Sequence, residues 1–124
     1  MEFTEDKAIF LQIADMIEND IVRGIFLEDE RSPSTNELAA LYGINPNTVA
    51  KSLTVLTNDG ILYKKRGVGM FVAPGAREKI LAKRREKFAA EYIAPMVREA
   101  KLLGLDTTAL SRMIEEAYKE DTDE

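Results

Sequence analysis

The sequence predicts a mainly α fold that carries one small β-hairpin near its middle. Apolar residues recur at three- and four-residue steps through most of the 124 residues, which is the period of an amphipathic helix. That period is abandoned over residues 61–73, ILYKKRGVGMFVA, in favour of two short runs rich in β-branched and aromatic residues. Gly24, Gly43, Gly60 and Gly104 each follow a helical run at the place where a stop is expected.

The elements follow in order. Residues 7–23 place Ile9, Phe10, Ile13, Ile17 and Ile21 on one helix face, with Asp15, Glu18 and Asp20 mostly on the other. An acidic loop, IFLEDERSP, ends at Pro33. A second helix opens at Ser34 with the capping box STNE, in which the Ser34 hydroxyl accepts from the Glu37 amide and the Glu37 carboxylate reaches back. Leu38, Ala39 and Leu41 form its buried stripe, and Gly43 closes it after two turns. The third helix begins with Asn45 as N-cap and Pro46 at the first helical position, where a missing amide proton costs nothing. Val49, Leu53 and Leu56 are its apolar stripe, whereas Asn47, Thr48 and Lys51 project from the first turns on the other side.

After Gly60, the loop Arg66-Gly67-Val68-Gly69 joins the two strand-like runs into a hairpin with a positive, flexible tip. Pro74-Gly75 marks a domain boundary, giving one domain over 1–75 and a helical region over 76–124. Residues 76–103 predict a long helix with Ile80, Leu81, Phe88, Tyr92, Met96 and Leu103 near one side. Pro95 should kink or interrupt it by deleting a backbone hydrogen bond and crowding the preceding turn. Asp106 or Thr107 then caps a last helix whose Leu110, Met113, Ile114, Ala117 and Tyr118 share a face, before the acidic tail EDTDE.

Composition narrows the chemistry. The chain has no cysteine and no histidine, which removes disulfides, Ser-His-Asp and Cys-His catalysis, and every Cys/His zinc site. Neither a cofactor nor a metal is expected. The acidic start MEFTEDKAIF does not read as a signal peptide, and no apolar run approaches the ~20 residues that span a bilayer. The expected home is therefore a reducing cytoplasm, with no membrane partner. Net charge is −5, but it is unevenly spread. Residues 64–87 hold nine basic and two acidic groups, between an acidic start and an acidic end. Screening over about 8–10 Å makes the local cluster, not the total, the quantity that a polyanion feels.

Helix, short helix, tight connection, third helix and hairpin is the order of a winged helix-turn-helix domain, here followed by a C-terminal helical segment. In that architecture the third helix enters the major groove of duplex DNA with its N-terminal end first. An asparagine amide there can donate and accept at once, matching N6 and N7 of adenine. The free amide protons and dipole of the helix start favour a phosphate. Double-stranded DNA is the expected partner. A protein-docking module is the alternative, and it would keep an apolar patch on the third helix. An enzyme built on carboxylates finds no convincing spacing.

Residues 8–75 resemble the GntR family of bacterial transcription regulators, and in length its YtrA-like subgroup. The resemblance is carried by PSTNELAALYGINPNTVAKSL, LTNDGIL and RGVGMFV, three motifs in the family's order and spacing. It implies a winged helix-turn-helix domain that binds an operator as a homodimer, usually as a repressor. By that resemblance Ser34 touches phosphate, and Asn45, Pro46, Asn47, Thr48 and Lys51 form the reading end of the recognition helix. Arg66, Gly67 and Gly69 form the wing tip, where glycine lets the backbone approach a minor groove. Asn36 stands where much of the family has an arginine that contacts base or phosphate, and Ser32 replaces a usual aliphatic residue before Pro33. Lys64 and Lys65 are either a solvated strand edge or further DNA contacts. Lys83, Arg84, Arg85 and Lys87 read as a solvated face that could approach flanking phosphates. The short C-terminal region implies two helices used for dimerisation, with Phe88, Tyr92, Met96, Leu110, Met113 and Ile114 as dimer contacts. Phe88, Tyr92 and Met96 are most economically a dimer contact or an internal core, and a ligand pocket is the lesser alternative, because two helices enclose little volume before dimerisation. The sequence specifies neither a small-molecule effector nor the operator.

Overall fold

A computed structural model describes residues 3–121. Its elements are α1 (Ile9–Val22), α2 (Thr35–Tyr42), α3 (Pro46–Asn58), β1 (Leu62–Lys65), β2 (Gly69–Val72), α4 (Ala76–Phe88), a π-helical segment (Ala89–Ile93), α5 (Ala94–Leu102) and α6 (Thr107–Asp121). The last three residues of the acidic tail lie outside the described residues. Contacts divide the chain into two compact units, one ending at Lys83 and the other beginning at Arg84. Among the described residues no helix is long and apolar enough to cross a membrane.

The first unit is built on the three-helix stripe pattern. Ile13, Ile17 and Ile21 of α1 meet Leu38 of α2 and Val49, Leu53 and Leu56 of α3 in one buried cluster. Leu62 and Val72, a directly paired position of the antiparallel hairpin, close that cluster from the strand side. Ala76 and Ile80 of α4 are also fully buried in it, so the compact unit runs beyond the Pro74-Gly75 punctuation. Ser52 adds a polar tie: its buried hydroxyl donates to the Phe10 carbonyl at 2.7 Å, joining α3 to the start of α1.

Three local expectations need correction. Leu41 is 71% exposed, because α2 is short and only its Leu38–Ala39 side faces α1 and α3. Glu18 is only 3% exposed. Its carboxylate lies on the buried side of α1, where Lys83 Nζ of α4 reaches it at 2.7 Å. The capping box is half made: Ser34 Oγ accepts from the Glu37 amide at 3.1 Å, but the Glu37 carboxylate turns to Arg31 instead.

The segment expected as a plain loop before α2 runs alongside β2. Asp29 N donates to Val72 O at 2.7 Å, Val72 N to Glu30 O at 2.9 Å, and Ser32 N to Met70 O at 2.9 Å. Arg31 thereby pairs with Phe71 as an isolated bridge. Ser32 is buried with its hydroxyl 3.4 Å from the Met70 carbonyl, so serine here is accommodated by backbone hydrogen bonding.

In the second unit, the interruption expected at Pro95 takes the form of the π-helical segment Ala89–Ile93, after which Pro95 sits in the first turn of α5. A wider turn absorbs the missing amide proton and the ring bulk. Asp106 caps α6, its Oδ1 accepting from the Ala109 amide at 2.9 Å. Ala100 is buried, while Leu103, expected on the apolar side, is mostly exposed.

Candidate nucleic-acid interface

The N-terminal end of α3 is set by its own first residues. Asn45 Oδ1 accepts from the Asn47 amide at 2.8 Å, and Pro46 supplies a fixed first turn. The cap uses one lone pair of Asn45 Oδ1, and its amide donors stay open for a ligand. Asn45, Pro46, Asn47 and Lys51 are exposed, and Thr48 is half-buried. No hydrogen bond or ion pair with another described residue engages the side chains of Asn47, Lys51 or Arg66.

Two clefts flank this helix. One, of roughly 450 Å3, lies between α2, α3 and the hairpin, and brings together Ser34, Asn36, Ala50, Thr54, Lys64 and Gly69. The other, of roughly 500 Å3, lies on the α1 side and is lined by Phe10, Asn47, Ala50, Lys51 and Thr54. The exposed ridge between them is Asn47, Ala50, Lys51 and Thr54, an i, i+3, i+4, i+7 stripe opposite Val49, Ser52, Leu53 and Leu56. Ala50 and Thr54 are absent from the residues that the sequence motifs single out. Their three-residue offset from Asn47 and Lys51 is the signal that marks them.

At the other side of the first cleft, Ser34 uses its oxygen as an acceptor for the helix cap, which leaves its hydroxyl proton to donate. Asn36 is exposed beside it. Arg31, another residue that the motifs do not mark, pairs with Glu37 at 3.1 Å and passes under the wing. A Cβ on Gly69 would stand 3.2 Å from Arg31 Nε, and the Gly69 φ of 140° is one that L side chains rarely adopt. Gly69 is thus favoured by its backbone conformation, and the Arg31 side chain would need to shift by only a few tenths of an ångström. Gly67, at φ 78°, is the turn residue facing open space, since a Cβ added there would meet nothing within 4 Å.

The hairpin separates its two lysines. Lys64 pairs with Met70 on the face that lines the first cleft. Lys65 lies on the opposite face, its Nζ 4.4 Å from the Phe71 ring centroid and 6.0 Å from that of Tyr63. Tyr63 stacks on Phe71 at 5.8 Å and donates to Asp29 Oδ1 at 2.8 Å. That hydrogen bond, with some burial and the Asp29 charge, raises the phenol above its ordinary value.

In the second unit, Met96, Leu110, Met113 and Ile114 line one apolar cleft of roughly 320 Å3 between α5 and α6. Phe88 and Tyr92 form a separate pair, with centroids 5.6 Å apart and both rings more than half exposed. In the basic run, Lys83 is committed to Glu18 and lies 3.9 Å from Asp59, and Lys87 is 3.9 Å from Glu91.

The arrangement offers a polar helix end, a hydroxyl donor, a basic hairpin tip and no enclosed pocket among these groups, which suits a large anionic surface. Comparison with known proteins agrees. The model of the family "Bacterial regulatory proteins, gntR family" matches residues 10–72. The chain is similar to the HTH-type transcriptional repressor YtrA of Bacillus subtilis, 28% identical over 108 residues, covering 87% of this chain and 82% of that protein. A GntR-family putative transcriptional regulator from Bacteroides thetaiotaomicron superposes with a TM-score of 0.80 at 37% identity, covering 93% of this chain and all of that one. The DNA-binding domain of AraR, solved in complex with operator ORX1, superposes with a TM-score of 0.52 at 30% identity, over 58% of this chain and 93% of that one.

Proposed function

The chain belongs to the GntR family of bacterial regulatory proteins, and from that premise we propose that it is a cytoplasmic repressor that binds a palindromic operator as a homodimer. Residues 1–75 read the DNA and residues 76–124 pair the subunits. The observation that carries the reading is the exposed N-terminal end of α3, where Asn47 and Lys51 have no partner among the described residues, next to a hairpin tip bearing Arg66.

In this reading α3 enters a major groove and the Asn47 amide pairs with an adenine edge. Thr48 and the amide donors of Asn45 hold the helix start against the backbone, with Pro46 fixing its geometry. Lys51 adds charge within the groove. The spare proton of Ser34 goes to a phosphate, and Asn36 supports a shorter contact than an arginine would. Arg66 and Gly67 follow the adjacent minor groove, with Gly69 holding the turn. The apolar side chains left open on α5 and α6 support dimerisation. YtrA, named a repressor, and AraR, bound to operator DNA, support the repressor and operator parts.

In vitro selection of DNA by the purified full chain, read at rising salt, tests this. Two half-sites separated by about one helical turn or a multiple, ~34 Å apart, are expected. Recovery of random sequence with only a steep salt slope would refute specific readout.

A further inference from the structure

We propose that Ala50 and Thr54 read the 5-methyl groups of two thymines in each half-site. The proposal rests on the operator reading above and concerns how α3 discriminates. Ala50 and Thr54 line both clefts that flank the helix, so they occupy the crest of its exposed ridge, and both are exposed. Ala50 offers a methyl group and nothing else. Thr54 Oγ1 donates to the Ala50 carbonyl at 3.0 Å, which commits its hydroxyl proton to the helix and leaves the methyl group and an acceptor lone pair. In the major groove the thymine methyl is the one apolar feature among base edges, and alanine and threonine methyl groups complement it.

Spacing makes the proposal specific. Four residues of α-helix advance about 6 Å, against about 3.4 Å per base step along each strand. The two thymines therefore lie one to two base pairs apart. Asn47 is three residues before Ala50, which places the adenine it reads within about three base pairs of them. The crest thus supplies polar readout at its leading end and apolar readout behind it.

The test uses the full chain and the operator recovered by selection, with each thymine replaced in turn by deoxyuridine, which deletes only the methyl group. Replacement at two thymines per half-site is expected to weaken binding roughly fourfold each, the weight of one buried methyl group. Thr54→Ser keeps the hydroxyl and loses the methyl. It is expected to bind the parent operator about fourfold more weakly and to become indifferent to uracil at one of the two positions. Thr54→Val keeps the methyl and should retain that discrimination, whereas its loss would mean that the hydroxyl reads the base. An operator indifferent to uracil throughout, or undiminished uracil sensitivity in Thr54→Ser, overturns the proposal and leaves the regulator reading standing. Recovery of random DNA overturns both.

Discussion

Asn47 and Asn45 are the same residue type two positions apart, yet the structure gives them different work. Asn45 spends one lone pair of its carbonyl oxygen on the Asn47 amide, whereas the Asn47 side chain keeps both halves of its amide for a ligand. Asn47→Ala is therefore expected to relax base preference at one operator position and to cost about 1–3 kcal/mol of specific binding, measured by competition against single-base operator variants. Unchanged preference would remove Asn47 from the reading set. Tyr63 illustrates a different residue-scale effect. Its hydrogen bond to Asp29 raises its folded-state value above 10.0, so the stabilisation is complete below pH 10 and is lost as pH rises through the raised value. The stability difference between the parent and Tyr63→Phe, measured by denaturation at stepped pH, should be constant at neutral pH and shrink only in strong alkali. Capping was legible because its partners are two or three residues apart. Ser52 was not, since the Phe10 carbonyl it holds is 42 positions away.

Among elements, the hairpin carries the clearest contrast. Strand alternation puts Lys64 and Lys65 on opposite faces, a fact contained in the sequence, but which face turns toward α3 is decided by Leu62 and Val72 entering the core. Arg66 at the exposed tip is expected to contact DNA without regard to sequence. Arg66→Ala should weaken all DNA binding and reduce the salt slope by about one, while Lys65→Met, on the face away from the cleft, should leave that slope unchanged in the same titration. Equal losses from both variants would mean that the wing is only a diffuse positive cloud. Helix α1 holds the second lesson. Its period was evident, but the burial of Glu18 depended on Lys83, 65 residues on, and no local spacing could disclose it. Lys83→Met would leave a carboxylate buried without its cation. About 2 kcal/mol of stability should be lost, and Glu18→Gln in the same chain should recover part of it in a double-mutant denaturation cycle. Full additivity would show that the pair is not coupled.

At the scale of the whole molecule, charge and apolar surface are distributed by task. The overall charge of −5 hides the basic stretch over 64–87, and both units expose large apolar side chains, more of them in the second. Met96, Leu110, Met113 and Ile114 surround an apolar cleft, and Ile114 is still 40% exposed within the chain. In the proposed homodimer a second copy covers this surface, and each fully covered side chain of this kind would contribute about 1.5–3 kcal/mol. Ile114→Glu places a charge there that loses its hydration on pairing and has no basic side chain among the cleft residues to meet it. On the homodimer proposal, the parent is expected to sediment as a dimer and this variant as a monomer at the same concentration, with helix content retained in circular dichroism. DNA binding should change in a matching way: affinity for one half-site stays near that of the parent, while the added affinity from a second half-site disappears. A variant that stays dimeric would move the subunit contact away from this cleft, to the exposed Phe88–Tyr92 pair as the next surface to substitute.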